Sequence, residues 1–288
     1  MNPKLTLVLG ILCISFSPIF VKLAVAPPIT TAFYRIFIGW VCLAPYCVAK
    51  AKYKIERKAL FIAIAGGIVF GVDIAVWNMS LVKITATVST LLANLAPVWV
   101  GLMSFIFFRK RAGKLFWIGT FVAMFGMVVL VGYQDIITLK FNIGIPLALL
   151  ASFLYAVYLV ISKGILQKIS TLTFMFYNML AASIFLFIVC LFQRYDMIHF
   201  SNATWVVFIA MGLLCQVAGW LLLNHSITFL DPTKVSIALL AQTVIACFLA
   251  SFMLNEKLAL KEIIGSVIVL AGIAFTFLKY GKANKIVN

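Results

Sequence analysis

Ala59 to Ser80 reads ALFIAIAGGIVFGVDIAVWNMS, 22 residues with one charge, Asp73, bracketed by Glu56-Arg57-Lys58 before it and Lys83 after it. At ~1.5 Å per residue such a helix is roughly 33 Å long, which matches a hydrocarbon layer ~30 Å thick. Backbone groups in lipid must hydrogen-bond within their own segment, so the stretch is helical by necessity. Nine more stretches read the same way, near Leu5–Ala24, Thr30–Ala49, Ala86–Phe108, Leu115–Val131, Ile143–Lys163, Thr171–Phe192, Thr204–Ser226, Thr233–Leu254 and Glu262–Leu278. The connections are short and hold the usual breakers, Pro27-Pro28, Gly132, Asn142 and Asp231-Pro232. The fold class that follows is all-α and polytopic, with ten transmembrane helices. Composition agrees: 65% of the 288 residues are hydrophobic, 10% are charged and the mean hydropathy is +1.17. Soluble domains carry about 25% charged residues, so the outer surface of this chain must face lipid.

The net charge of +16 does not point to nucleic acid, because the Lys and Arg sit in short runs between apolar stretches. They are also one-sided. One end of the bundle carries Lys4, Lys50, Lys52, Lys54, Arg57, Lys58, Arg109, Lys110, Arg111, Lys114, Lys163, Lys168, Lys234, Lys279, Lys282 and Lys285, against Glu56 and Asp231. The other end carries Lys22, Lys83, Lys140, Arg194, Lys257 and Lys261 against Asp135, Asp196, Glu256 and Glu262. The positive-inside rule therefore places both termini in the cytoplasm, in a multi-pass protein of the cell membrane. Lys4, the apolar run after it and Ala24-Val25-Ala26 imitate a signal peptide. The segment is read instead as the first span, since it has a counterpart later in the chain. Cys13, Cys42, Cys47, Cys190, Cys215 and Cys247 all fall in apolar stretches and act as small apolar side chains.

The second half copies the first. At a constant offset of 146, Gly66 pairs with Gly212, Asn78 with Asn224, Ser80 with Ser226, Gly119 with Gly265 and Gly126 with Gly272, and Thr90 meets Ser236. Earlier in the chain the offset slips, so that Phe33-Tyr34 pairs with Phe176-Tyr177. Two units follow, residues 1–135 and 136–288. Each holds an odd number of helices, so the second enters the membrane from the opposite side. The basic loop Arg109-Lys110-Arg111 accordingly becomes the near-neutral Asn255-Glu256-Lys257. Inverted repeats let one site open alternately to each face, which favours a secondary transporter.

Three stretches resemble the drug/metabolite transporter superfamily, in particular its EamA-type ten-helix branch. They are Ala32-Phe33-Tyr34-Arg35, Gly71 to Asn78 with Leu91 to Val98, and Gln242 to Glu256 followed by Gly265 and Gly272. Thr243, Asn255 and Arg109-Lys110 depart from the family pattern, where Pro, Gly and Gly-Glu are usual. The resemblance implies a central cavity between the halves, a small-molecule solute, and export of a metabolite such as an amino acid or related compound. By the same analogy Gly119, Gly126, Gly265 and Gly272 offer either helix packing or a homodimer surface. A flippase for a lipid-linked substrate is the alternative within this fold. A channel and an intramembrane enzyme are the alternatives of other classes.

A charge inside hydrocarbon is costly and needs a reason. Arg35, Asp73 and Asn94 lie at depths of roughly 8, 10 and 12 Å on consecutive spans, by their residue count from the span ends. They form one expected layer, which either locks helices through an Arg35–Asp73 ion pair or contacts solute and carries a coupling proton. Asp73 and Trp77 are four apart on one face, as are Gln216 and Trp220. A Trp beside a polar group offers an aromatic wall and a hydrogen bond. Asn78, Asn224 and Gln242 complete the candidate binding and coupling set, while His225 reads as a satisfied interfacial histidine. Lys22 and Lys163 sit near span ends, where they would snorkel. No catalytic, metal-binding, cofactor or nucleotide-binding motif occurs, so ATP does not drive this chain directly. Cysteine labelling tests the orientation: Lys52→Cys and Ala112→Cys should react with impermeant reagents only from the cytoplasm, and Thr138→Cys and Met197→Cys only from outside. External labelling at 112 would reverse the topology.

Overall fold

The computed structural model describes residues 2–81, 83–84, 86–108, 112–131, 142–254 and 259–277. The loops 109–111, 132–141 and 255–258 and the lysine-bearing tail lie outside them, and with them the loop-charge comparison between the repeats. Among the described residues, eight helices are long and apolar enough to cross a membrane. They are Pro3–Leu23, Pro28–Ala49, Arg57–Leu81, Gly144–Leu166, Thr171–Phe192, Asn202–Phe229, Pro232–Met253 and Leu260–Phe277. Two shorter apolar helices, Leu91–Ile106 and Lys114–Leu130, stand where the sequence places the fourth and fifth spans. The protein is thus an all-α polytopic membrane protein, and the ten segments are called here the first to tenth spans.

Four spans are not continuous α-helices, and the causes can be read locally. Pro18 has no N–H to give the Ile14 carbonyl, and the first span breaks at Phe16 into Pro3–Ser15 and Ser17–Leu23. Pro97 does the same to Ala93, and the fourth span divides into Ala86–Ala93 and Ala96–Phe108. The ninth span divides at Leu239-Leu240 with no proline present. There the tighter i→i−3 bonds Leu240 N–H to Ile237 O and Thr243 N–H to Leu240 O hold the bend. The fourth span shows the same pair of bonds, Leu95 to Leu92 and Val98 to Leu95. The departure at Thr243 therefore leaves the bend intact. The eighth span widens into a π-helix over Met211–Gly219, where the sequence leads one to expect plain α-helix.

The second and seventh spans end alike. Ala51 (φ 50°) and Arg194 (φ 52°) occupy the left-handed position after the helix. Lys52 N–H returns to Cys47 O and Tyr195 N–H to Cys190 O, which is a Schellman closure in each. Both positions cost a side-chain-bearing residue strain that glycine would avoid.

The principal helix contacts run between the halves of the chain rather than within them. The third span packs on the sixth and seventh, the second on the seventh and eighth, the first on the eighth and ninth, and the fourth on the sixth and ninth. The most extensive contact joins the fifth and tenth spans. Its seam is made of glycine. A Cβ on Gly265 would lie 2.4 Å from Leu130 N, one on Gly272 2.4 Å from Ala123 N, and one on Gly119 2.5 Å from Gly272 O. These glycines meet the backbone of the facing span inside one chain, which is the packing role expected of them. Lys163, expected to snorkel, donates instead to the Thr228 carbonyl at 2.9 Å, near the end of the eighth span, where a cation is favoured.

The seam predicts a contrast in thermal unfolding of detergent-purified protein. Gly265→Ala places its methyl against backbone and should cost about 1–3 kcal/mol. Gly164→Ala meets nothing within 4 Å and should stabilise by about 0.5–1 kcal/mol, as Gly to Ala does in an open helix position. Equal effects at the two positions would contradict the seam.

Candidate functional site

The irregular turns deliver polar groups to the bundle centre. Ser17 opens the second piece of the broken first span and its Oγ accepts from Arg35 Nη1 at 2.8 Å. Gln216 lies on the π-helix, and its Oε1 accepts from Arg35 Nε at 3.2 Å. Gly39 makes the second bond possible. It stands one turn from Arg35, and a Cβ there would fall 2.9 Å from Gln216 Cγ. Arg35 is 7% exposed and Gln216 1% exposed. The guanidinium is thus solvated by protein, as a charge at this depth must be.

The expected Arg35–Asp73 ion pair is not formed. Among the described residues, no Lys or Arg nitrogen comes within 4 Å of the Asp73 carboxylate. Asp73 is 8% exposed and has no hydrogen bond among the described residues. It nevertheless lies within electrostatic reach of Arg35, Tyr155 and Tyr158. Neither charge neutralises the other by contact, because Ser17 and Gln216 have already claimed two faces of the guanidinium.

Aromatic rings wall this region. Phe70, one turn before Asp73, meets Trp220 at 4.8 Å edge to face and Tyr158 at 4.9 Å. Trp220 also meets Tyr158 at 5.3 Å and Tyr155 at 6.2 Å, both edge to face. The indole nitrogens of Trp77 and Trp220 are buried and have no hydrogen-bond partner. An unsatisfied buried donor costs about 1–3 kcal/mol, so each indole N–H is a donor open to a further partner.

The remaining expected residues are placed around this centre. Asn224 Oδ1 accepts from Tyr158 OH at 3.2 Å and fixes one wall. Asn78 Nδ2 donates to Pro28 O at 2.7 Å, tying the third span to the start of the second, while its Oδ1 is buried without a partner. Asn94 does not join Arg35 and Asp73. It sits in the bend of the fourth span and donates to Thr243 Oγ1 at 3.1 Å, just past the bend of the ninth. Gln242 Nε2 lies 3.5 Å from Ile14 O, the carbonyl that Pro18 sets free. Gln216 and Trp220 face different partners, since the π-turn alters the spacing that would stack them in an α-helix. His225 Nε2 is buried without a partner, contrary to the satisfied histidine expected.

Over the start of the second span lies the loop between the seventh and eighth spans. Tyr34 OH donates to Met197 O and Thr30 Oγ1 to Asp196 O. The Asp196 carboxylate accepts the backbone N–H groups of Ile198 and His199 at 2.9 and 3.1 Å, and these hold its pKa below the usual carboxylate range. Ser17, Phe70, Tyr155 and Tyr158 were not singled out from sequence, and Thr243 was noted only as a departure from the family pattern. The signals for them were Pro18 after Ser17 and the Tyr155–Tyr158 spacing of one turn.

Residues 3–132 and 142–278 match the EamA-like transporter family. The chain belongs to the EamA-like transporter family. An uncharacterized transporter of Bacillus subtilis is 23% identical over 98% of this chain and 92% of its own length. A Rickettsia prowazekii protein named as an S-adenosylmethionine uptake transporter is 23% identical over 85% of this chain and 81% of its own. A crystal structure with 15% identity superposes with a TM-score of 0.80 over 96% of this chain and 97% of that one, and so shares the fold. This EamA-family protein is therefore a membrane transporter.

The shared solvation of Arg35 predicts a stability cycle. Gln216→Leu should lower thermal stability by about 1–3 kcal/mol, because it leaves a buried guanidinium short of an acceptor. Adding Arg35→Met should restore part of the loss, since no charge is then left uncompensated. Additive losses would mean that the two side chains do not depend on each other.

Proposed function

We propose that this EamA-family protein is a secondary carrier for a small zwitterionic metabolite, an amino acid or a related amphipathic compound. The observation that carries the reading is that Arg35 and Asp73 are buried within reach of each other and yet unpaired. A solute with a cationic and an anionic group satisfies both. Its ammonium meets the Asp73 carboxylate and the faces of the aromatic wall. Its carboxylate meets the guanidinium, with the Trp77 or Trp220 indole N–H as a second donor. The Rickettsia relative is named for S-adenosylmethionine, a molecule that carries an amino-acid head, and this supports the same solute class.

Alternating access is the mechanism we infer. Residues 1–135 and 136–288 form two repeats related by inversion. The support is the exchange symmetry of the helix contacts: third on sixth answers eighth on first, and third on seventh answers eighth on second. The matching Schellman closures and the matching bends of the fourth and ninth spans point the same way. Both termini face the cytoplasm by the charge imbalance, and the protein resides in the cell membrane. A symmetric carrier runs in whichever direction the gradients drive it. Export is the family expectation, and an uptake relative is compatible with the same machinery.

Asp73 is the group proposed to carry a coupling proton, bound when solute is absent and released when the solute's cation takes its place. Proteoliposomes test this. Asp73→Asn should abolish dependence on an imposed pH gradient while solute counterflow survives in part. Wild-type pH dependence in the variant would remove the proton role.

A further inference from the structure

At the lysine-rich end of the bundle, the first turns of the third and seventh spans line a cleft of about 400 Å³. Its rim carries three ammonium groups, Lys54, Lys58 and Lys168, against one carboxylate, Glu56. None of these four makes an ion pair within 4 Å among the described residues. The Ser170 and Thr173 hydroxyls, 2.8 Å apart, complete the polar edge. Below the rim the walls turn apolar, with Ala59 and Ile62 from the third span and Ile165 and Ile169 from the end of the sixth.

The rim is anchored. The Schellman closure at Ala51 sets the direction of the loop that leaves the second span. Tyr177 OH then donates to the carbonyl of Tyr53 at 2.6 Å, which pins the residue next to Lys54. Ser170 caps the seventh span by accepting the Thr173 N–H at 3.2 Å. Three like charges gathered on a fixed rim repel one another, and an anion relieves that repulsion. Lysine meets phosphate as a point charge, and the apolar walls beneath suit the glycerol and acyl carbons of a lipid.

We propose that this cleft binds a phosphate oxyanion, carried by a phospholipid headgroup or by a free phosphate, and that the bound group bridges one span from each half of the chain. Arg57 and Asp73 are 16 residues apart on the third span, roughly 24 Å along the helix. The cleft is therefore separate from the Arg35–Asp73 centre and does not depend on the transport reading.

The test uses the full chain in detergent, titrated with dioctanoyl phosphatidylglycerol, with dioctanoylglycerol and with inorganic phosphate, and read by native mass spectrometry and thermal unfolding. Phosphatidylglycerol should bind at one saturable site, and dioctanoylglycerol should not. Lys54→Ala/Lys58→Ala/Lys168→Ala should weaken that binding at least about tenfold, since each lysine contributes to holding an anionic headgroup. The charge-matched Lys50→Ala/Lys52→Ala/Lys114→Ala should bind as wild type. Lys168→Glu provides a single change that should also weaken binding. Competition by inorganic phosphate would assign the site to free anions as well, and its absence would assign the site to lipid headgroups. Equal loss in the two triple variants, equal binding of dioctanoylglycerol, or no saturable binding of either phosphate compound would overturn the proposal.

Discussion

A guanidinium in hydrocarbon must take its solvation from protein, and the irregular geometry at the centre of this bundle follows from that requirement. Arg35 needs acceptors at a depth where regular helices present only side chains from their packed faces. The break at Pro18 supplies Ser17, and the π-turn of the eighth span supplies Gln216. Gly39 keeps the space through which Gln216 reaches its partner. With two of its faces taken in this way, the guanidinium does not close on Asp73. The carboxylate is left within electrostatic reach of Tyr155 and Tyr158, members of the aromatic wall. The site proposed for a zwitterionic solute thus rests on how one cation is accommodated.

Rigid and irregular parts are segregated. The fifth and tenth spans lock together through backbone contact along a glycine seam, where no side chain can slide. The first, fourth, eighth and ninth spans each carry a bend or a widened turn, and the first and eighth supply Ser17 and Gln216 to Arg35. Interruptions of this kind often mark hinges in helices. Asn94 with Thr243, and Gln242 with Ile14 O, join one bent span to another, so a shift in one bend is felt in its partner.

Sequence made the helices legible because a lipid-facing segment has one available backbone structure and a fixed minimum length. The buried charges were legible for a similar reason, since Arg35 and Asp73 stand out against an apolar background. Their pairing was not. Whether two charges on neighbouring spans touch depends on competing acceptors, and Ser17 and Gln216 reach Arg35 only through irregularities that hydropathy does not report. Asn94 meets Thr243 and not the Arg35–Asp73 layer, because depth along a helix says nothing about the direction a side chain faces. The bend of the ninth span was hidden by Thr243 standing where proline would have announced it. The π-turn lies between Gly212 and Gly219, which look from sequence like ordinary packing glycines.

The accessibility of the aromatic wall tests alternating access at this centre most directly. Tyr155 lies within electrostatic reach of both Arg35 and Asp73. Tyr155→Cys, in a chain whose six native cysteines are replaced, can be exposed to impermeant thiol reagents from either side of oriented proteoliposomes. Alternating access to a central site predicts labelling from each side in turn, slowed from both sides by transported solute and never passing reagent through. Labelling from one side only, or labelling that solute does not affect, would contradict it.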